Sequence, residues 1–166
     1  LEKIPGSKYV KSNPLGVYEF ILSDLKSGEK VLFIGLPCQV YAVKKYIPDR
    51  FREYLYTIDL ICHGSPSPRL LWKYLGEHSI HDIKNIRFRN KQRFRLFTDY
   101  ESIVPLGIAD RYMISFLQAY NYTENCYSCR FAGVKRPSDL TIGDSWGSQL
   151  PVDEQKKGIS LVLCQT

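Results

Sequence analysis

Two apolar runs, each closed by a cysteine-bearing turn and followed by a helical pattern, limit the folds open to this chain more than any other feature. Lys30-Val31-Leu32-Phe33-Ile34-Gly35 is continuous, apolar and bounded by turn signals, which predicts a strand buried on both faces. Leu36-Pro37-Cys38-Gln39 follows. Val40 to Ile47 then places apolar residues at 40, 41, 43, 46 and 47, a helical face whose first turn holds Cys38. Pro48-Asp49 stops that helix. Tyr54 to Ile61 is a second β-rich run, ended by Cys62-His63-Gly64. Ser65-Pro66-Ser67-Pro68 punctuates the chain, and Arg69 to Gly76 reads as a helix with Ser67 at the N-cap and Pro68 at its first position. A helix over Val17 to Leu25, stopped by Ser27-Gly28, precedes the whole. Strand, helix, strand in this order predicts two parallel neighbours in one sheet.

Downstream the pattern changes. Ile83 to Phe88 and Phe94 to Tyr100 read as strands joined by Asn90-Lys91-Gln92-Arg93, an antiparallel hairpin. Asp110 to Tyr120 reads as a helix. Ser138 to Asp144 is a third short strand ending in Gly-Asp-Ser-Trp-Gly, Pro151 to Gly158 a polar loop, and Ile159 to Cys164 a last strand. The expected fold class is α/β: a mixed, partly parallel sheet flanked by helices, with an antiparallel hairpin. Residues 1–166 are expected to form a single domain, cut from a longer protein at both ends.

The cysteines carry the chemistry. Cys126-Tyr127-Ser128-Cys129 is a CxxC knuckle, and Cys38 and Cys62 each follow a strand's carboxyl end, the edge where open α/β sheets bind ligands. Cys38, at a helix start, has its thiolate favoured by free N–H groups and the helix dipole. Four thiols in three segments suit soft metals. A zinc ribbon would bring a second CxxC about 15 to 20 residues away, and none occurs. Single cysteines separated by 23 and 63 residues suit a 4Fe-4S cluster. One zinc ion, or cysteines serving as small buried apolar residues, are the alternatives. Cys164, within Leu161-Val162-Leu163-Cys164, reads as a core residue. Five cysteines at irregular spacing make a poor disulfide framework, so a reducing cytoplasm is expected.

Cys62-His63 invites a nucleophile–base reading, but neighbours on an extended strand point to opposite faces, which places His63 poorly to activate Cys62. His63 either meets a cofactor at the strand edge or is satisfied by backbone. Asp144 and Trp146 form either a turn or a rim of that site. No GxGxxG or phosphate-binding P-loop is present. The net charge is +6, and six of the twelve residues from Lys84 to Arg95 are Lys or Arg. That cluster reads either as a solvated hairpin or as a phosphate or nucleic-acid surface, and an anionic thiolate cluster would also answer the surplus charge. A zinc-stabilised module binding nucleic acid or a partner protein is the competing functional class. No apolar run approaches the roughly 18 residues of a membrane span.

Four stretches, in order, resemble the coenzyme F-420 hydrogenase/dehydrogenase beta subunit family: Gly35-Leu36-Pro37-Cys38-Gln39-Val40, Asp59-Leu60-Ile61-Cys62-His63-Gly64-Ser65-Pro66-Ser67-Pro68, Cys126-Tyr127-Ser128-Cys129-Arg130-Phe131, and Ser138-Asp139-Leu140-Thr141-Ile142-Gly143-Asp144-Ser145-Trp146-Gly147. The resemblance implies an oxidoreductase of the electron-transfer flavoprotein kind, with FAD and a 4Fe-4S cluster. It would pass electrons between the cluster and a hydride acceptor such as coenzyme F-420 or another small molecule. It further implies that Cys38, Cys62, Cys126 and Cys129 ligate the cluster, converging within reach of one cubane and leaving Cys164 out. Ser7, Lys8 and Tyr9, in Ser7-Lys8-Tyr9-Val10, resemble a family segment near the flavin, and His63 and Gly64 are the further expected cofactor contacts. The expected partners are a redox protein or ferredoxin-like domain and a small hydride acceptor, with neither nucleic acid nor membrane. The cysteine-rich ferredoxin-like region that many members carry ahead of this domain has no counterpart in these residues.

Overall fold

The computed structural model of the chain describes residues 8–81, 85–90, 93–98, 101–145 and 147–165. Ser7, Ile83, Lys84, Lys91, Gln92, Tyr100 and Trp146 lie outside the described residues. In chain order the elements are α1 (Val17–Lys26), β1 (Val31–Gly35), α2 (Pro37–Tyr46), a 3-10 turn (Asp49–Tyr54), β2 (Leu55–Leu60), α3 (Pro68–Glu77), β3 (Ile86–Asn90), β4 (Arg93–Thr98), β5 (Glu101–Ser102), α4 (Arg111–Leu117), α5 (Glu124–Tyr127), β6 (Leu140–Asp144), α6 (Val152–Lys157) and β7 (Ser160–Cys164).

They fall into two compact units. The first comprises Leu1–Ser12 and Gly64–Ser128, and the second Asn13–His63 and Cys129–Thr166. The first therefore interrupts the second in sequence, between β2 and β6.

The second unit holds a four-stranded sheet in the order β1-β2-β6-β7. β1, β2 and β6 are parallel, and β7 joins β6 antiparallel. The mixed, partly parallel sheet is thus present, and β1 and β2 are parallel neighbours as the strand–helix–strand pattern requires. One face is packed by α1 and α2 through Ile21, Leu25, Val43, Ile47 and Leu55. The opposite face is apolar but open. Leu32 and Ile34 of β1 are each 55% exposed, and Tyr56, Leu60 and Val162 on the same face are also exposed. The expectation that β1 is buried on both faces is corrected here. A continuous apolar run shows that both faces can be covered, not that both are.

The first unit contains the antiparallel sheet β3-β4-β5. The expected hairpin is β3 and β4, and β5 adds a short third strand. Its core joins Leu75, Phe88, Leu96, Met113 and Phe116 across α3, both hairpin strands and α4. Ser67 caps α3 as expected, accepting from the Arg69 N–H at 3.3 Å. Helix α4 is shorter than the pattern from Asp110 to Tyr120 at both ends, with Asp110 its N-cap, Gln118 its C-cap and Ala119 in the left-handed region at φ 60°. The buried Asp110 carboxylate accepts from Met113 N–H (3.1 Å), Tyr74 hydroxyl (3.2 Å) and Leu96 N–H (2.8 Å), tying cap, α3 and β4 together. Burial, reinforced by the Asp110 charge, pushes the phenols of Tyr74 and Tyr112 far above their ordinary range.

Two further corrections concern the end of the chain. Pro151 to Gly158, expected as a loop, contains helix α6, whose i,i+3 pairs Lys156–Asp153 and Lys157–Glu154 support a short solvent-facing turn. Cys164 is exposed rather than buried in a core. It lies on the open face of the sheet, opposite Leu140.

Candidate functional site

Cys38 is the second residue of α2, on the turn that follows β1 at its carboxyl end. Pro37 starts the helix with a preset φ, and the Gln39 side-chain oxygen reaches back to accept from Leu36 N–H at 2.9 Å. The Cys38 thiol is exposed there. Tyr18 of α1 donates to the Gln39 carbonyl at 3.3 Å. Burial raises the Tyr18 phenol, and the Cys38 charge raises it further.

Cys62 follows the end of β2 and is half-buried, and His63 beside it is exposed. The strand's end is held by a buried ion pair. Asp59 is sealed from solvent, and Arg136 donates to its Oδ1 from Nε and Nη2, both at 3.3 Å. The same guanidinium donates to the carbonyl of Leu60 (2.8 Å) and to that of Phe131 (2.7 Å). Arg136 therefore ties the strand end that precedes Cys62 to the segment that follows Cys129. Asp59 Oδ2 is buried with no hydrogen-bond partner among the described residues. Sequence reading missed both residues. A carboxylate at the centre of Thr57-Ile58-Asp59-Leu60-Ile61 was the available signal for Asp59, since an acid in an apolar strand needs a partner. Nothing local marks Arg136 among its polar neighbours.

Cys129 is half-buried in the second unit, and its carbonyl accepts from Ala132 N–H at 3.1 Å. Just beyond it, Arg130 lies 4.8 Å over the Tyr41 ring and Phe131 packs on that ring at 5.3 Å, so the segment after the knuckle is fastened to α2.

Cys126 belongs to the first unit, in the short helix α5. Its backbone N–H bonds the Thr123 carbonyl at 2.8 Å, and its sulfur lies 3.2 Å from Thr123 Oγ1 and 4.0 Å from the Ser65 carbonyl. The Ser65 carbonyl also accepts from Thr123 N–H at 3.0 Å, and Pro66 bridges Tyr122. Gly64 sits at φ +129° with the Tyr122 ring where a side chain would begin, so only glycine fits. That packing requirement accounts for Gly64 without a cofactor. Tyr9 is likewise engaged within the first unit. Its ring stacks on Phe116 at 4.7 Å, and its carbonyl accepts from the Tyr112 hydroxyl at 2.9 Å. Lys8 is exposed.

None of the five cysteines forms a disulfide. The donor set therefore fits a soft metal or iron–sulfur group in kind, with no sulfur spent on a disulfide. Among the described residues, no three His, Cys, Asp or Glu side chains gather into a group that could hold a metal ion. The structure brings Cys38 and Cys62 to the same edge of the sheet, at the carboxyl ends of adjacent strands, and fastens the Cys129 segment to both elements through Arg136 and Tyr41.

A comparison with curated proteins found no match. Among solved structures, a chain from the xenon-derivatised F420-reducing NiFe hydrogenase complex of Methanosarcina barkeri superposes with a TM-score of 0.52 at 20% identity, covering 98% of this chain and 60% of that one. At that identity the likeness establishes the fold, and this chain spans about three-fifths of its neighbour's length. The sequence itself matches, over residues 28–166, the family described as the C terminus of the coenzyme F420 hydrogenase/dehydrogenase beta subunit. That match takes in β1 through β7 and all four candidate ligand cysteines, and the chain belongs to this family.

Proposed function

We propose that this chain is the redox-active part of an oxidoreductase, with Cys38, Cys62, Cys126 and Cys129 as thiolate ligands of a 4Fe-4S cluster and with FAD as a second cofactor. The observation that carries the reading is the placement of cysteines at the carboxyl ends of two parallel strands in a chain of this family. Such a cluster supplies one-electron transfer, and a flavin supplies the exchange between one-electron and hydride chemistry.

The residues of the chain have definable tasks in this reading. Pro37 and the Gln39 side chain fix the first turn of α2, which carries Cys38. Arg136 holds the Cys62 strand end and the Cys129 segment in a fixed relation. Thr123 and the Ser65 carbonyl hold Cys126 through its backbone and sulfur. Lys8, His63 and the neighbourhood of Tyr9 and Gly64 are the proposed flavin side, with Ser7 outside the described residues. A redox partner protein or ferredoxin-like domain exchanges electrons with the thiol side, and a small molecule, coenzyme F-420 among the candidates, accepts or gives hydride. A reducing cytoplasm suits five cysteines outside disulfides. No helix among the described residues is long and apolar enough to cross a membrane.

Purification of the chain without oxygen tests this. The expected product is brown, with iron and sulfide in equal amounts and bound flavin, and Cys126→Ser loses the iron. A colourless protein carrying one zinc ion and no iron overturns the reading in favour of a zinc-stabilised binding module.

A further inference from the structure

The opposite edge of the same sheet carries a cavity that the redox reading does not use. It has a volume of about 390 Å³ and is lined by Tyr41, Lys44, Lys45, Arg52, Leu55, Pro137 and Asp139. All seven belong to the second unit. They come from the last turns of α2, the 3-10 turn, the first residue of β2 and the approach to β6. This is the amino end of β2 and β6, whereas Cys38 and Cys62 follow the carboxyl ends of β1 and β2.

The lining charges do not cancel. Three cations face one carboxylate. That carboxylate is already saturated. Asp139 accepts from Lys44 Nζ at 2.9 Å on one oxygen, and from Thr57 N–H (2.6 Å) and Thr57 hydroxyl (2.8 Å) on the other. Burial pushes its carboxyl up, but these hydrogen bonds and the Lys44 charge outweigh burial and hold it below the ordinary carboxylate range, so it stays ionised with Lys44 as its counter-ion. Lys45 and Arg52 remain. Arg52 has an exposed partner in Asp49 at 2.7 Å, on solvent-facing side chains where such a pair is weak. Among the described residues Lys45 has no carboxylate within ion-pair distance, and its ammonium lies 5.7 Å over the Tyr41 ring.

Lysines in the last turn of a helix answer its dipole, and that alone would place Lys44 and Lys45. It does not account for Arg52 joining them from a different element, or for a concave site between them. The apolar walls are Tyr41, Leu55 and Pro137. Tyr41 is not a loose wall, because Phe131 at 5.3 Å and Arg130 at 4.8 Å hold its ring. A preformed cavity within the span of about 300–1,000 Å³ usual for small-molecule sites, lined by both cations and apolar side chains, suits an anion on an organic body. A guanidinium and an ammonium lining one cavity suit phosphate oxygens.

We infer that this cavity binds a small organic phosphate of mononucleotide size, its phosphate on Lys45 and Arg52 and its organic part against Tyr41, Leu55 and Pro137. The site is independent of the thiols, so its fate and that of the redox reading are separable.

Calorimetric titration of the whole chain with AMP, glycerol phosphate, inorganic phosphate and adenosine tests it, alongside amide shifts by NMR. The expected order of affinity is AMP, then glycerol phosphate, then inorganic phosphate, with adenosine weakest. Added salt should weaken binding, and shifts should be confined to residues 41–55 and 137–139. Lys45→Ala with Arg52→Ala, both on solvent-facing side chains, should lower AMP affinity by about tenfold or more without changing the melting temperature. The inference is overturned if none of the three phosphates binds at millimolar concentration. It is equally overturned if the double variant binds AMP as the parent does, or if the shifts map elsewhere.

Discussion

Near the carboxyl end of β2, Asp59 is sealed from solvent with one oxygen on Arg136 and the other without a hydrogen bond among the described residues. Near the amino end of β6, Asp139 has both oxygens bonded, one to Lys44 and one twice to Thr57. Asp59 stands on β2 and Asp139 immediately precedes the neighbouring strand β6, yet their surroundings differ in kind. The carboxyl end keeps polar capacity in reserve: an orphaned carboxylate oxygen and the start of a helix that carries an exposed thiol. The amino end satisfies its acid completely and keeps cations in reserve. In a parallel sheet every strand's carboxyl end faces the same way, so a helix that starts over one edge ends over the other. Helix α2 does this, with Cys38 in its first turn and Lys44 and Lys45 in its last.

The largest effect should come from breaking the ion pair at the carboxyl end. Arg136→Leu leaves Asp59 buried and uncompensated, and should cost about 3–5 kcal/mol in denaturant unfolding. Adding Asp59→Asn to that variant should recover part of the loss, because the uncompensated charge is then gone. A cost below about 1 kcal/mol would mean that the pair is not a clamp.

Asp139→Asn should cost roughly 1–3 kcal/mol, since Lys44 and Thr57 lose an ionised acceptor. The pH dependence sharpens this. The folded-state pKa of Asp139 lies below its ordinary 3.8. Its contribution is therefore fully present above that value and is lost as pH falls from about 4 through the folded-state value. Thermal melts across the acid range should show a shallower acid limb for Asp139→Asn than for the parent. Identical limbs would show that the lowered pKa contributes no stability.

Next in size is the tenfold loss of AMP affinity in the Lys45 and Arg52 double variant, a change at the amino end that leaves stability untouched. Smallest is Cys38→Ser. The thiol is exposed and holds no core in place, so unfolding free energy should move by less than about 0.5 kcal/mol while bound iron falls. A large loss of stability without loss of iron would recast Cys38 as structural.

The strand–helix–strand order was legible because an apolar run of strand length followed by an amphipathic helical face has few other solutions. Ser67 and Pro68 marked the start of α3, and Asn90 and Arg93 bracketed the hairpin, for the local reasons that make caps and turns. The thiols were legible as candidates because cysteine is scarce and its position after a strand is a pattern in one dimension. Arg136 was not legible. The partners of its guanidinium, Asp59, Leu60 and Phe131, lie 77, 76 and 5 residues away, and nothing local signals a guanidinium that reaches so far. The amino-edge cavity escaped notice for the same reason, since its lining gathers Tyr41, Arg52 and Asp139 from separate segments.

By itself the sequence determined the α/β class, the parallel pairing of β1 with β2, the hairpin, and the presence of cysteines where strands end, because these follow from local periodicity, turn chemistry and chain direction. Only the tertiary structure decided that one face of the sheet is open, that Cys164 lies on it, that Arg136 clamps β2 to the segment after Cys129, and that cations collect at the far edge. Those features depend on which distant side chains share a volume. Burial and charge compensation settle that in three dimensions and leave almost no trace along the chain.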